Sequence, residues 1–137
     1  MRAALTAIAG LLVAFVLASA WALESGGVAI IATHAPDGEL HSTHVWYAES
    51  DGELWLEAGT PENAWFTDAQ RDPRIAFSAD RRSGDYLAEP SYDPGAHTQM
   101  RGWLREKYGM RDWWVGLLVD TSNSVAVRLN PAAAGPD

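Results

Sequence analysis

Alternating apolar and polar positions mark three strands in the first half of the chain. Residues 28–33 are apolar and rich in β-branched side chains, and residues 39–48 and 53–58 follow after two short turns. Each turn contains an Asp-Gly pair, beginning at Asp37 and at Asp51, and such pairs favour tight hairpins. The pattern therefore predicts a three-stranded antiparallel meander.

The segment after the meander changes to a helical pattern. We expect Thr60 to act as the N-cap and Pro61 to be the first helical residue, since both types are preferred there. Pro73 restricts the backbone of Asp72 and should end this short helix. Alternation then resumes at residues 74–80, which predict a fourth strand.

The last third of the chain predicts one weaker strand, two helices and a final strand. The weaker strand covers residues 84–90, and the final strand covers residues 124–129. The first helix should end at Gly109, a residue suited to a left-handed cap, and Asp112 is expected to cap a shorter second helix. The first helix places four large side chains on one face: Met100, Trp103, Leu104 and Tyr108.

Six mostly antiparallel strands with inserted short helices predict a mainly β (α+β) fold, a six-stranded antiparallel split β-barrel. The chain has 137 residues, which suits one domain with one sizeable core. We place this domain at residues 24–130. Residues 131–137 are rich in Pro, Gly and Ala and are expected to form a disordered tail.

A hydrophobic stretch without charges precedes the domain, from Ala4 to Leu23. It is long enough to cross a bilayer as a helix, so we expect residues 1–23 to anchor the protein to a membrane. A cleaved signal peptide is the main alternative, because small residues at 18, 20 and 22 offer cleavage sites. A helix buried in the domain is a third interpretation. Arg2 alone does not decide which side of the membrane the domain faces, so this question stays open.

Composition narrows the possible functions. The net charge is −8, which argues against non-specific binding of nucleic acid because that requires a basic surface. The absence of cysteine excludes disulfides, thiolate metal sites and cysteine nucleophiles. Seven tryptophans are many for a small domain, and they suit a ring-stacking ligand or a dimer interface as well as a core.

The polar residues supply no recognisable catalytic motif. His41 and His44 are three residues apart on a predicted strand and so face opposite sides, while His34 lies beside a turn and His97 at a helix start. We therefore predict no metal site. The sequence contains no nucleophile elbow, phosphate-binding glycine loop or His-Glu-x-x-His motif. Catalytic residues stay unknown, and an enzyme with this sequence would depend on a cofactor.

Three motifs, in a fixed order, carry a resemblance to a known family. They are Asp37-Gly38, the run His-Val-Trp-Tyr at residues 44–47, and the run Asp-Pro-Arg-Ile at residues 72–75. Together they resemble the split-barrel flavin-binding superfamily, which includes pyridoxamine-phosphate-oxidase-like proteins and deazaflavin-dependent reductases. The resemblance extends over roughly residues 28–129 and is most specific between residues 37 and 77.

The resemblance implies a cofactor site. In that superfamily the cofactor ring lies across the second and third strands at a dimer interface, and its phosphate meets the turn and helix that follow. The matching positions here are Val45, Trp46 and Tyr47 beside the ring, and Thr60, Asn63 and Trp65 near the phosphate. A hydroxyl group and a helix N-terminus suit a phosphate. Many flavin-binding members have a cation at the position of Trp65, and an aromatic residue there is closer to the deazaflavin branch.

Arg71 and Arg74 complete the candidate cofactor contacts. Both have a purely structural alternative, in which they are surface charges that pair with Asp68 or Asp72. The tryptophans of the implied site likewise have an alternative as core or interface aromatics.

Together with the predicted N-terminal anchor, the resemblance implies a membrane-anchored oxidoreductase that binds FMN or a deazaflavin and transfers hydride to a small-molecule substrate. It also implies a homodimer. The alternative is a non-catalytic split-barrel module that binds a hydrophobic ligand or a partner. The substrate, the redox direction and the choice between the two cofactors stay open.

Overall fold

A computed structural model describes residues 2–24 and 27–133, without the side chains of residues 2–5 and 22–24. The strands are β1 (Ala29–His34), β2 (Leu40–Val45), β3 (Tyr47–Ser50), β4 (Glu53–Ala58), β5 (Arg74–Ala79), β6 (Arg82–Ser91) and β7 (Val125–Pro131). The helices are α1 (Arg2–Glu24), α2 (Ala64–Arg71), α3 (Pro94–Tyr108) and α4 (Met110–Leu118), with a 3-10 turn at Thr121–Asn123.

The strands form one antiparallel sheet in the order β2-β1-β5-β6-β7-β4-β3. Its two edge strands are β2 and β3, yet only Trp46 separates them in the chain. The sheet must therefore curl until its edges approach, which gives the half-barrel of the predicted fold class. The prediction of six strands needs one correction: the strand expected at residues 39–48 breaks at Trp46, where the chain leaves β1 and begins to pair with β4.

Both predicted hairpin turns are confirmed. Between β1 and β2, Gly38 has a φ of 88° and donates its N–H to the carbonyl oxygen of Ala35 at 2.9 Å. Between β3 and β4, Asp51 and Gly52 have φ values of 52° and 81°. Two successive positive φ angles match the twist of the flanking strands, which explains the Asp-Gly pair.

The helix after β4 begins later than the sequence suggests. Its N-cap is Asn63, not Thr60, and the side chain of Asn63 makes no capping hydrogen bond. The carbonyl of Thr60 instead accepts the N–H of Asn63 at 3.2 Å, which closes a turn before the helix. The predicted end is confirmed, since α2 stops at Arg71 and Asp72 is extended before the proline.

The junction of α3 and α4 confirms one predicted cap and corrects another. Gly109 adopts a φ of 51° and ends α3 as expected. Helix α4 begins at the next residue, Met110, so Asp112 lies inside the first turn and is not the cap. Its carboxylate is buried and pairs with Arg101, which gives it a structural role between the two helices.

The core has two parts because the sheet is covered on both faces. The inner part lies inside the curled sheet beneath α2 and includes Leu54, Leu56, Phe66, Phe77 and Val127. The outer part lies between the sheet and α3 and includes Trp55, Met100, Leu104, Tyr108 and Ala126. Alternation along β4 sends its leucines inward and its tryptophan outward. The predicted apolar face of α3 is therefore confirmed.

Helix α1 covers the predicted hydrophobic stretch and packs against α4. The rings of Phe15 and Trp114 lie 5.7 Å apart, and the indole N–H of Trp114 donates to the hydroxyl of Ser19 at 3.3 Å. Within residues 2–24 and 27–133, no helix combines the length and apolarity needed to cross a membrane. This finding corrects the prediction that residues 1–23 anchor the protein to a membrane.

The predicted tail is partly ordered. Strand β7 extends to Pro131, and the N–H of Ala132 donates to the carbonyl oxygen of Asp85 at 3.0 Å. The rest of the predicted tail, residues 134–137, lies outside the described residues. So do Ser25 and Gly26 at the start of the predicted domain.

Candidate functional site

A pocket of about 370 Å³ opens between two strand ends and two helices. We call it the strand–helix pocket. Its walls come from the end of β2, the end of β4, the start of α2 and the end of α4. Its lining residues are Thr43, His44, Val45, Trp46, Glu57, Gly59, Asn63, Trp65, Val115, Val119 and Thr121. This size and mixed lining are typical of small-molecule sites.

Aromatic side chains form one wall of the strand–helix pocket. Trp65 is only 4% exposed and packs edge-on against Phe66, with ring centroids 5.9 Å apart. Trp46 stacks on Tyr108 with a centroid distance of 4.3 Å and an interplanar angle of 13°. Val45, also 4% exposed, lies beside Trp46. Neighbouring rings hold both tryptophans, so the wall is preorganised for a flat apolar ligand.

Two polar side chains of the pocket lining, Asn63 and His44, could form hydrogen bonds to a ligand. Asn63 precedes α2, and its amide is not used as a helix cap. His44 is exposed on β2. An amide and an imidazole can both donate and accept. The start of α2 adds the partial positive charge of a helix N-terminus.

A buried ion-pair network supplies one residue of the pocket lining. Arg101 donates to both oxygens of Glu57 at 3.0 and 2.9 Å, and to Asp112 at 2.6 Å. The three side chains are only 12%, 9% and 4% exposed, respectively. Glu57 is the one of the three that lines the pocket. The network thus ties β4 to α3 and α4 and places a carboxylate in the pocket wall.

The strand–helix pocket brings together four of the eight predicted cofactor contacts. They are Val45, Trp46, Asn63 and Trp65. The buried Trp65 also belongs to the inner core, so the core alternative for this residue is confirmed. A role of the four residues in cofactor binding stays a prediction.

Tyr47 lines a different pocket from Trp46. This second pocket measures about 510 Å³ and also contains Lys107. The amine of Lys107 lies 3.0 Å from the centroid of the Tyr47 ring and donates to the Tyr47 carbonyl oxygen at 3.0 Å. Burial lowers the pKa of Lys107 to about 8. Tyr47 therefore does not share a wall with Trp46.

Arg71 is engaged in fastening α2 to the sheet. Its guanidinium donates to the carbonyl of His34 at 2.6 Å and to Asp68 at 3.2 Å. Asp68 also contacts Thr33 at 3.2 Å and His41 at 3.1 Å. Burial acts to raise the pKa of Asp68, but these three side-chain hydrogen bonds outweigh it and lower the pKa. The predicted pairing of Arg71 with Asp68 is confirmed.

Arg74 pairs with Asp72, as the structural alternative predicted. Its guanidinium donates to the carboxylate at 2.9 and 2.6 Å. These bonds hold the pKa of Asp72 well below its ordinary range. Neither Arg74 nor Thr60 lines the strand–helix pocket.

The described residues contain no cluster of three or more His, Asp and Glu side chains placed to hold a metal ion. Two of the histidines have protein partners instead: His41 contacts Asp68, and the imidazole of His97 lies 2.8 Å from the Ser124 hydroxyl.

Several lining residues were not predicted. Val115 comes from α4, Val119 directly follows that helix, Thr121 comes from the next turn, and Glu57 comes from β4. One feature of the sequence could have identified Glu57 as a lining residue: it lies at the end of a predicted strand, just before the turn into α2. The residues in and after α4 had no such feature, because they are more than 40 residues away in the chain and tertiary packing alone brings them to the pocket.

No family model and no curated protein matches this chain. Solved structures do match. A conserved hypothetical protein, Rv2991 from Mycobacterium tuberculosis, is 27% identical, with a TM-score of 0.61 over 82% of this chain and 77% of that one.

Two further solved structures share the fold at lower identity. An F420 reductase is 18% identical, with a TM-score of 0.56 over 81% of this chain and 90% of that one. A candidate pyridoxamine 5′-phosphate oxidase from Listeria innocua is 16% identical, with a TM-score of 0.59 over 80% and 87%. These likenesses establish the architecture and confirm the resemblance read from the sequence motifs. The chain is a split-barrel protein with the fold of the pyridoxamine-phosphate-oxidase-like superfamily.

Proposed function

We propose that this protein is an oxidoreductase that binds a flavin or deazaflavin ring in the strand–helix pocket and transfers hydride to or from a small substrate. The carrying observation is that Val45, Trp46, Asn63 and Trp65 line one pocket. The family resemblance implies the same four residues as ring and phosphate contacts. The shared fold of an F420 reductase and a candidate pyridoxamine 5′-phosphate oxidase supports the same reaction class.

The pocket fits the ring part of such a cofactor better than its phosphate part. Its walls are aromatic and apolar, and Asn63 offers an amide for the polar edge of a ring. Its lining, all of it among described residues, includes no arginine or lysine that could hold a phosphate. When bound, a flavin-type ring supplies the hydride chemistry itself.

The residues of this chain would bind and orient the ring. Trp46 would contact its flat surface, and its packing on Tyr108 keeps it in place. Trp65, which is only 4% exposed, would form the floor of the pocket. Val45, Val115 and Val119 would exclude water from the pocket. Exclusion of water strengthens the polar contacts that fix the orientation of a ligand.

A homodimer is part of the proposal. Helix α4 exposes large apolar side chains, including Met110 at 81%, Trp113 at 61% and Leu117 at 64% exposure. Exposed apolar side chains of this kind favour a protein interface. A second copy seated on this face of α4 would form the homodimer.

Titration of the full chain with riboflavin or FMN, followed by tryptophan fluorescence, tests the proposal. Two of the seven tryptophans line the pocket, so bound ring should quench the emission in a saturable way. The Asn63→Leu variant should bind at least about tenfold more weakly, a loss on the scale of one buried hydrogen bond to the ligand. Its stability should change little, because Asn63 makes no capping bond.

Asn123→Leu is the matched control. Asn123 is exposed and does not line the strand–helix pocket. The control should bind like the wild type. Equal binding by both variants, or no saturable binding by the wild type, would contradict the proposed site.

A non-catalytic module that binds a hydrophobic ligand is the second candidate. The carboxylate and the absence of a cation in the pocket lining favour it. It predicts saturable binding of an uncharged apolar dye such as Nile red, which Asn63→Leu should alter and flavin should not displace. Displacement of the dye by riboflavin would instead support the oxidoreductase.

A further inference from the structure

The strand–helix pocket has an unusual charge for a site that would hold a phosphorylated cofactor. Of its eleven lining residues, all within the described chain, Glu57 is the only one with a permanent charge at neutral pH. Its partner Arg101 divides its donors between Glu57 and Asp112. Arg105 reaches Asp112 only at 3.8 Å and from a largely exposed position, so solvent screens it.

The cations that the sequence offered for a phosphate are held elsewhere. Arg71 is bound to His34 and Asp68, and Arg74 is bound to Asp72. Lys107 is the only lysine of the chain, and it lies in the second pocket against Tyr47. Moving any of these side chains to a ligand would break contacts that the fold already uses.

One feature of the pocket, the N-terminus of α2, would attract a phosphate. The N-terminus of α2 lies at the pocket and carries a partial positive charge. The C-terminal end of α4, which lies on the other side at Val119, carries a partial negative charge of similar size. The two partial charges oppose each other, so the net charge of −1 on the group of Glu57, Arg101 and Asp112 decides the sign.

We infer that the strand–helix pocket selects the unphosphorylated form of a flavin-type ring, with Glu57 as the residue that excludes the phosphate. The ligand class is a neutral or N–H-donating ring compound, for which riboflavin is the probe, in preference to FMN. The carboxylate of Glu57 accepts a hydrogen bond from such a ligand and repels an anionic one. This inference rests on the proposed function.

The experiment compares the dissociation constants of riboflavin and FMN for the full chain, because the two ligands differ only in the phosphate. A phosphate carries nearly two negative charges at neutral pH. We expect FMN to bind roughly three- to tenfold more weakly than riboflavin at low salt. Added salt should reduce this ratio, since it screens charges near the surface.

Two variants test the role of charge through the same ratio. Glu57→Gln removes the carboxylate and should bring the two affinities together. Thr121→Lys adds a cation to the lining without touching the ion-pair network, so it should favour FMN over riboflavin. Gln99→Lys adds the same charge at an exposed position of α3 outside the lining and should leave the ratio unchanged. Because a smaller folded fraction weakens the apparent binding of both ligands equally, the ratio of the two dissociation constants does not depend on it.

The possible results test the exclusion of the phosphate and the binding of a flavin ring separately. Tighter binding of riboflavin, with a ratio that Glu57→Gln and Thr121→Lys lower, supports the inference. Equal or tighter binding of FMN by the wild type overturns it and leaves the proposed function standing. Failure of both ligands to bind overturns the proposed function and this inference with it.

Discussion

The sharpest test of how the pocket is held together is Asp68→Ala. Asp68 fastens α2 to β1 and β2, and α2 carries Asn63 and Trp65 into the strand–helix pocket. The carboxylate is only 6% exposed and has three side-chain partners. Removing it leaves the buried hydroxyl of Thr33 without its acceptor, which costs about 1–2 kcal/mol of unfolding free energy.

The other two partners of Asp68 contribute less. Their side chains are about half exposed, so solvent screens each pair and we assign roughly 0.5 kcal/mol to each. The total loss for Asp68→Ala is therefore about 2–3 kcal/mol, and for the near-isosteric Asp68→Asn about 1 kcal/mol. Urea unfolding followed by tryptophan fluorescence measures both. Thr67→Ala, on the exposed side of α2, is the control and should lose less than about 0.5 kcal/mol.

The pH dependence has a defined sign. The pKa of Asp68 is lower in the folded protein than its ordinary value of 3.8. A lowered acid pKa stabilises the fold above the unfolded value, and this contribution is lost as pH falls through the folded pKa. The difference in stability between the wild type and Asp68→Asn should therefore be constant near neutral pH and shrink below 3.8. A difference that is below about 0.5 kcal/mol at pH 7, or that grows in acid, would refute this reasoning.

Two more predictions follow from the buried charges. Arg101→Met should cost about 3–5 kcal/mol because it leaves Glu57 and Asp112 buried without a partner, whereas Arg105→Met should cost little. Chemical unfolding of the two variants decides this, and equal losses would contradict it. Lys107, as the only lysine, can be labelled by reductive methylation and titrated by NMR, with an expected midpoint near pH 8. The contribution of Lys107 to the free energy of unfolding should rise between pH 8 and 10.5, because in this range the amine stays protonated only in the unfolded state. A titration midpoint near 10.5 would show that the amine is not buried.

The sequence alone determined the local elements and the family of the fold. Alternation with period two and the Asp-Gly turns identified the strands, because these signals depend only on neighbouring residues. The ordered motifs around the short helix identified the split barrel. The same signals did not show that a continuous strand would break at Trp46, since the break arises where the chain exchanges β1 for β4 as its partner.

Tertiary structure decided which side chains distant in the chain meet. The sequence already suggested that Arg71 and Arg74 pair with Asp68 and Asp72, because each carboxylate lies within three residues of its arginine. By contrast, Glu57 is an ordinary strand residue that the curl of the sheet and the packing of α4 place in the wall of the strand–helix pocket. The sequence could identify aromatic residues suited to a ring. The charge of the pocket depends on contacts between residues far apart in the chain, and those exist only once the sheet has curled and the helices have packed on it.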